Sequence, residues 1–394
     1  MKIFNGIKKL ICKNDEQKKL FDDIKTVILV LFCSFLFLFL WVNRVKLSPD
    51  NVLLWIEGKA KSALFGPGYP CKIEGDKTYA ENFKFSDGNL FILSDTAFTI
   101  LNSSAKIVRE DKHNFGHPCL KLGSTRGIIY DRGGKNFKIE SCAKNISSGT
   151  TEKDIIGCAI SDNGIYAIAQ RSLDYLAELI IFNTNNKEKY KYSFSECYIS
   201  DVSLNSAGTE CAACGMSADN GNINSLVYIF DFKSETPKSQ FKLNNNMIIR
   251  LEYMANGNIL AIGDKYMAFI NLKSKMIKNF PYDNKILKFY DFNKDYGICC
   301  CFSQSLTEIN GDEIINLDTN GKELFCTQTH ENISSLSRRK NRTVCLTKNK
   351  IISYGATGRN ERSVDIQNHP QKILLAPHSY IYSLSGNAIE KWSI

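Results

Sequence analysis

A turn that recurs about every 40 residues constrains this chain more than any other feature. It reads Asp87-Gly88, Arg126-Gly127, Asn163-Gly164, Ala207-Gly208, Asn256-Gly257 and Tyr296-Gly297. Lys340-Asn341 and His378-Ser379 follow at the expected places without glycine. Counted on the second residue of each pair, the steps are 39, 37, 44, 49, 40, 44 and 38. Between turns lie apolar or alternating runs of four to seven residues, bounded by Gly, Asn, Asp and Ser. Runs of that length and texture are strands. Four strands to a period near 40 is the mark of a β-propeller.

One unit shows the pattern. Tyr198 to Leu204 is a first strand, turned by Ala207-Gly208; Glu210 to Gly215, Ser225 to Phe232 and Ser239 to Leu243 supply the other three. The last unit, Gln371 to Ile394, has room for only three strands. A ring closes when the other end of the domain lends a strand, and Cys71-Lys72-Ile73-Glu74 is the natural donor. The expectation is an all-β propeller of eight four-stranded blades, or seven if the weakest unit, 114–146, pairs differently.

Ahead of the strands stands Thr26 to Val42, seventeen residues without a charge. As a helix it extends roughly 25 Å, the short end of what crosses a bilayer. Seven lysines precede it against Arg44 and Lys46 close behind, a bias that places the N-terminus in the cytoplasm. Residues 41–45 offer no small-x-small cleavage site, which argues against a removed signal peptide. Phe32 is too bulky for lipoprotein processing at Cys33. The sequence therefore predicts a basic cytoplasmic tail over 1–25, a membrane helix over 26–43, a juxtamembrane helix and linker over 44–69, and an extracytoplasmic propeller over 70–394. Thr26, Val27, Leu31, Cys33, Phe37, Trp41 and Val42 are the anchor residues of this reading, and the lipid bilayer is their partner. Ser48-Pro49-Asp50 starts the juxtamembrane helix as cap, first-turn proline and dipole acid, and Gly58 can stop it.

The net charge of +9 is spread thinly and excludes a nucleic-acid footprint. Arg338-Arg339-Lys340, the densest basic cluster after the tail, reads as a solvated hairpin. Of fourteen cysteines, twelve lie beyond Val42, mostly inside apolar runs such as Gly297 to Phe302. Free cysteine packs there as a small hydrophobe, so most read as buried thiols; several disulfides in an oxidised lumen are the alternative.

Leu47-Ser48-Pro49-Asp50-Asn51-Val52, then Trp55 to Lys59, then Gly66-x-Gly68-Tyr69-Pro70, resemble a family of single-pass membrane proteins of anaerobic low-GC Gram-positive bacteria. Tyr228 to Glu235 and Asn258 to Lys265 carry the same resemblance. It implies a domain of unknown function with a quinoprotein-like or WD-like propeller, and it supplies no catalytic residues.

The chemical motifs dissolve on inspection. Asp291-x-Asn293-x-Asp295-x-Gly297 resembles a calcium loop, but its glycine is one place late and its twelfth position is Phe302. His113 and His117 are separated by Gly116 and followed by Pro118, which breaks the helix that aligns two metal ligands. Cys211-x-x-Cys214 sits in a strand, where residues three apart face opposite ways. No metal or cofactor is expected. The reading is a non-catalytic scaffold at the outer face of the membrane that binds protein or glycan. The alternatives are a sensor relaying to a cytoplasmic partner, or an enzyme using Asp201 and Asp291 in the central channel.

Overall fold

A computed structural model of the chain describes residues 15–42, 49–219, 221–303 and 311–394. It contains eight antiparallel sheets of four strands each. Seven are built from consecutive strands. The eighth takes Lys372–Leu375, Tyr380–Ser385 and Ala388–Ser393 from the C-terminal end and Cys71–Lys72 from the other. Cys71 pairs with Ile389 and Lys72 with Ala388, so the borrowed strand is the outermost of its blade. Eight blades are thereby observed, with the unit at 114–146 pairing as an ordinary blade.

The innermost strands are Thr78–Ser86, Pro118–Leu122, Ile155–Ile160, Tyr198–Leu204, Ile248–Tyr253, Ile286–Asn293, Ser335–Arg339 and Lys372–Leu375, in blades one to eight. They stand around a central channel and pack side by side in every neighbouring pair but one; blades five and six meet instead through Ile262, Met267, Ile298 and Cys300 of their second and third strands. Both faces of a blade press on neighbours, so strand interiors are apolar throughout rather than alternating. The cores are correspondingly local. One joins blades three and four through Phe194, Val202, Tyr228 and Phe230; another joins blades six and seven through Cys299, Cys301, Phe325 and Leu336. Cys299 and Cys301 face that second core while Cys300 faces blade five, and all three are fully buried. Cys211 and Cys214 likewise enter different cores. Every cysteine among the described residues is a free thiol.

Several local expectations are revised. In blade two the first turn is 123–125, and Arg126-Gly127 already belongs to the strand Arg126–Asp131. Blade four's middle strands are longer than its apolar pattern, Cys211–Asp219 and Asn222–Phe230, because the hairpin continues past the core. Arg338 is buried rather than solvated. Its guanidinium donates to the carbonyls of Leu317 at 3.0 Å and Ile298 at 3.4 Å, which hold the charge away from water.

The chain divides into two compact units between Val52 and Leu53. In the first, Thr26, Val27, Leu31, Cys33, Phe37, Trp41 and Val42 all lie on the helix Asp15–Val42. The expected membrane span is nevertheless corrected: among the described residues no helix is long and apolar enough to cross a membrane. Residues 15–25 of the helix carry seven charges, and the uncharged run that follows has only 17 residues, fewer than the roughly 20 that a bilayer core ordinarily takes. The single-pass placement with an extracytoplasmic propeller is withdrawn, and the relay to a cytoplasmic tail with it.

The second helix, Pro49–Ser62, does not stop at Gly58. A side chain there would meet Cys142 Cβ at 3.0 Å, so the glycine permits the helix to lie close on blade two.

Candidate functional site

A propeller has two faces, and here they differ. The loops joining first to second and third to fourth strands form one face, called the turn face below. On it, the segment from Leu53 onward is strapped to blades one and two. Lys59 Nζ lies 2.9 Å from both the carbonyl and a carboxylate oxygen of Asp87. Lys61 donates to the Ala143 carbonyl at 2.6 Å, and Lys144 pairs with Glu57 at 3.1 Å. Asn102 Nδ2 donates to the carbonyls of Ser62 at 2.9 Å and Leu64 at 2.7 Å, closing the helix's C-terminal end. Beneath the helix remains a cavity of about 20 Å³, room for about one water and no larger ligand.

The turns of blades two to six also converge over the channel on this face. Lys294 of blade six reaches across to Asp162 of blade three at 2.5 Å and to Ser206 of blade four at 3.3 Å. Ser124 of blade two donates to the Asp162 carbonyl at 2.9 Å. The channel is a cup, bridged at its turn-face end.

Below this bridge lies a charged layer. Lys121 of blade two stands 3.9 Å from Glu252 of blade five, and Arg250 stands 3.9 Å from the same carboxylate. Lys84 of blade one interacts with all of these. Burial first, then Lys121 and Arg250, push its ammonium down to about 7, against partial compensation from Glu252 and Glu81. Toward the other face the channel widens into a cavity of about 190 Å³, lined by Glu81, Tyr130, Arg132, Asp201, Arg250 and Tyr290. Among the described residues nothing bridges that mouth.

The walls are shaped by a repeated irregularity. In blades three to six the pairing of the two inner strands slips by one residue, at Ile156, Ser200, Ile249 and Lys288. Such bulges re-aim the side chains around them, and Ile156, Gly157, Ile249 and Arg250 consequently line the cavity. A bulge leaves no mark in hydrophobic alternation when both faces of the strand are apolar, so the pattern hides it.

The structure also assigns Asp201 and Asp291. An innermost strand has no partner on its channel side, so its N–H groups need acceptors. Side chains of the preceding blade provide them. Asp201 Oδ2 accepts from Leu251 N–H at 2.9 Å, and Ser203 Oγ accepts from Tyr253 N–H at 3.0 Å. Asp291 Oδ2 accepts from Arg338 N–H at 2.7 Å, and Asn82 Oδ1 from Leu120 N–H at 3.0 Å. These groups hold blade to blade. They do not converge on a reacting centre, and Asn293 caps its own turn, taking Asp295 N–H at 2.9 Å. Among the described residues no three of His, Cys, Asp and Glu are grouped to hold a metal. His113 is held by the Ser94 carbonyl at 3.2 Å and a stacked Phe115, while His117 uses its backbone N–H on Asp131. Burial raises the thiols of Cys158, Cys300 and Cys345 well above the usual range, which makes them inert.

Lys84 yields a prediction. Lys84→Met keeps the length of the side chain and removes a charge confined among cations. It is expected to stabilise the fold by about 2 kcal/mol near neutral pH. The folded value of about 7 lies below the ordinary 10.5, so between them the unfolded chain binds more protons. Wild-type stability therefore gains as pH rises through that window, and the advantage of methionine shrinks. Denaturant titrations of both proteins at about pH 6.5 and about pH 9.5 check this; an advantage independent of pH contradicts it.

No curated protein matches the chain. Among solved structures, Sqt1 of Saccharomyces cerevisiae is similar with a TM-score of 0.58 at 10% identity, over 84% of this chain and 100% of that one. The C-terminal WD40 domain of Sif2 gives 0.57 at 10% identity, over 83% and 99%. BamB from Moraxella catarrhalis gives 0.52 at 7% identity, over 83% and 100%. At such identities the likeness establishes the propeller fold and nothing of activity. The sequence itself matches a family profile over residues 71–391, nearly the whole propeller. The chain belongs to that family, DUF5711, a family of unknown function.

Proposed function

We propose that this chain is a non-catalytic binding platform whose channel mouth receives a polypeptide partner. The observation that carries the reading is the difference between the faces. The turn face is bridged by Lys294 and Asp162 and strapped by the helix ending at Ser62. The opposite face carries solvent-exposed apolar side chains on four successive blades. Leu173 and Tyr175 stand in the loop between the second and third strands of blade three, and Ile223 near the matching hairpin of blade four. Tyr198, Ile249 and Ile286 stand at the entrances of the innermost strands of blades four, five and six. Leu173 is 80% exposed and Tyr198 62%, values that cost solvation free energy unless a partner covers them. Bulky aliphatic groups among tyrosines suit an interface core on a polypeptide, whereas a glycan presents mostly hydroxyl surface.

The test compares capture by the full chain and by two variants. Wild type and Lys59→Ala, a change on the turn face, should retain the same polypeptide. Leu173→Asp combined with Tyr198→Asp should lose it, with unchanged thermal unfolding. Equal recovery by all three, or binding to glycans with no polypeptide retained, contradicts the proposal.

A further inference from the structure

The cavity at the mouth has a chemistry of its own. Two guanidinium groups line it, Arg132 from the loop after the second strand of blade two and Arg250 from blade five. Behind them stand Lys121 and Lys84. The facing carboxylates are Glu81, Asp201 and Glu252, and two of these are already engaged. Asp201 takes the Leu251 N–H at 2.9 Å and lies 3.8 Å from Arg250; Glu252 lies 3.9 Å from both Lys121 and Arg250. Ion pairs near 4 Å are too long for hydrogen bonds, so they leave donor directions on Lys121 and Arg250 open. The Arg132 guanidinium forms no ion pair or hydrogen bond with the described residues, and it is exposed at the mouth. Tyr290 lines the same cavity, and a phenol hydroxyl can both donate and accept.

We propose that the cavity is a carboxylate site, in which Arg132 and Arg250 bind an acidic side chain that the polypeptide partner inserts into the channel mouth. This rests on the reading of the mouth as the binding face. Arg250 and Arg132 offer the planar, multiply donating geometry that carboxylates match. The volume of about 190 Å³ admits one side-chain carboxylate with accompanying water. The cationic layer behind the cavity gives the site its pH dependence. Lys84 faces Lys121, Arg250, Glu252 and Glu81, and these leave it only partly protonated near neutrality. An anion entering in front of it restores the proton, so binding is accompanied by proton uptake and strengthens as pH falls from about 8 to about 6.

The experiment titrates the full chain with N-acetylglutamate α-amide, a lone side-chain carboxylate, and separately with inorganic phosphate, followed by ligand-observed NMR. The expected result is a millimolar Kd for the carboxylate, roughly the affinity one such group supplies. It should tighten several-fold between about pH 8 and about pH 6 and weaken about tenfold in both Arg132→Gln and Arg250→Gln. Arg132→Gln is the decisive variant, since its side chain is exposed and no fold contact is lost. Selectively labelled Lys84 provides a second readout, as its apparent pKa should rise on saturation. Binding of phosphate with none of the carboxylate overturns the assignment. So does carboxylate binding that ignores both substitutions, or no binding at pH 6. Because the probe is a free small molecule, its failure leaves the polypeptide reading standing. Loss of that reading alone leaves carboxylate binding intact.

Discussion

Phe230→Ala is expected to destabilise the propeller by about 4 kcal/mol. Phe230 is fully buried between blades three and four. Its ring centroid lies 4.8 Å from Tyr192, 5.8 Å from Tyr190 and 6.0 Å from Phe194, three aromatic side chains of the outermost strand of blade three. Truncation removes the transfer free energy of a phenyl group, leaves a cavity, and deletes tilted and edge-on ring contacts worth about 0.5–1.5 kcal/mol apiece. The rigid strands around it cannot collapse into the space. Phe230→Leu fills most of the volume and should cost less than half as much. Urea unfolding of both variants measures the difference. A loss below about 2 kcal/mol for alanine would mean that the interface between these blades is loosely packed.

The second effect falls on the channel wall. Asp201→Ala should cost about 3 kcal/mol, although it removes few apolar atoms. The Leu251 N–H, beside a fully buried side chain, loses its acceptor at 2.9 Å. Arg250 loses a carboxylate at 3.8 Å and keeps only Glu252. Asp201→Asn separates the two causes, because its amide oxygen still accepts from Leu251 but no longer compensates Arg250. It should recover about half of the loss. If asparagine and alanine are equally damaging, the charge alone matters, and the account of the aspartate as a staple between blades is wrong.

These two positions mark what a reader of the sequence can and cannot see. The blades were legible, because a turn near every 40 residues and apolar strand interiors follow from local chemistry. The donor strand at Cys71 was legible too, since the last unit lacked a fourth strand. The cysteines followed from strand periodicity alone, with Cys299 and Cys301 on one side of Cys300. The channel was not legible. Asp201 and Asp291 carry the same sequence mark whether they bind a metal or a neighbouring backbone, and only blade-to-blade register distinguishes the two. Lys84, the blade-two pair Lys121 and Arg132, and Arg250 come from three separated stretches and are ordinary in type; the ring closure brings them together. Asn102, in the plain turn sequence Asn102-Ser103-Ser104, carries no mark of its role and seats the helix that ends at Ser62. Gly58 looks like a stop signal and is instead a point of close approach. The uncharged run after Lys25 sits at the short end of what a bilayer accepts, so its own composition does not decide whether it spans. Seventeen residues fall short once the charged turns ahead of them are counted as part of the same helix.

A partner on the face opposite the bridged turns would shield that face wherever the protein is at work. Oxidative footprinting of the intact protein, once inside its native cells and once purified, tests it most directly. Tyr175 and Tyr198 report on the working face, and Trp55 and Tyr380 report on the turn face; all four are solvent-exposed in the isolated chain. Tyr175 and Tyr198 should be modified several-fold less in cells than after purification, while Trp55 and Tyr380 are modified equally in both. Equal modification of Tyr175 and Tyr198 in the two settings, or protection confined to Trp55 and Tyr380, would contradict it.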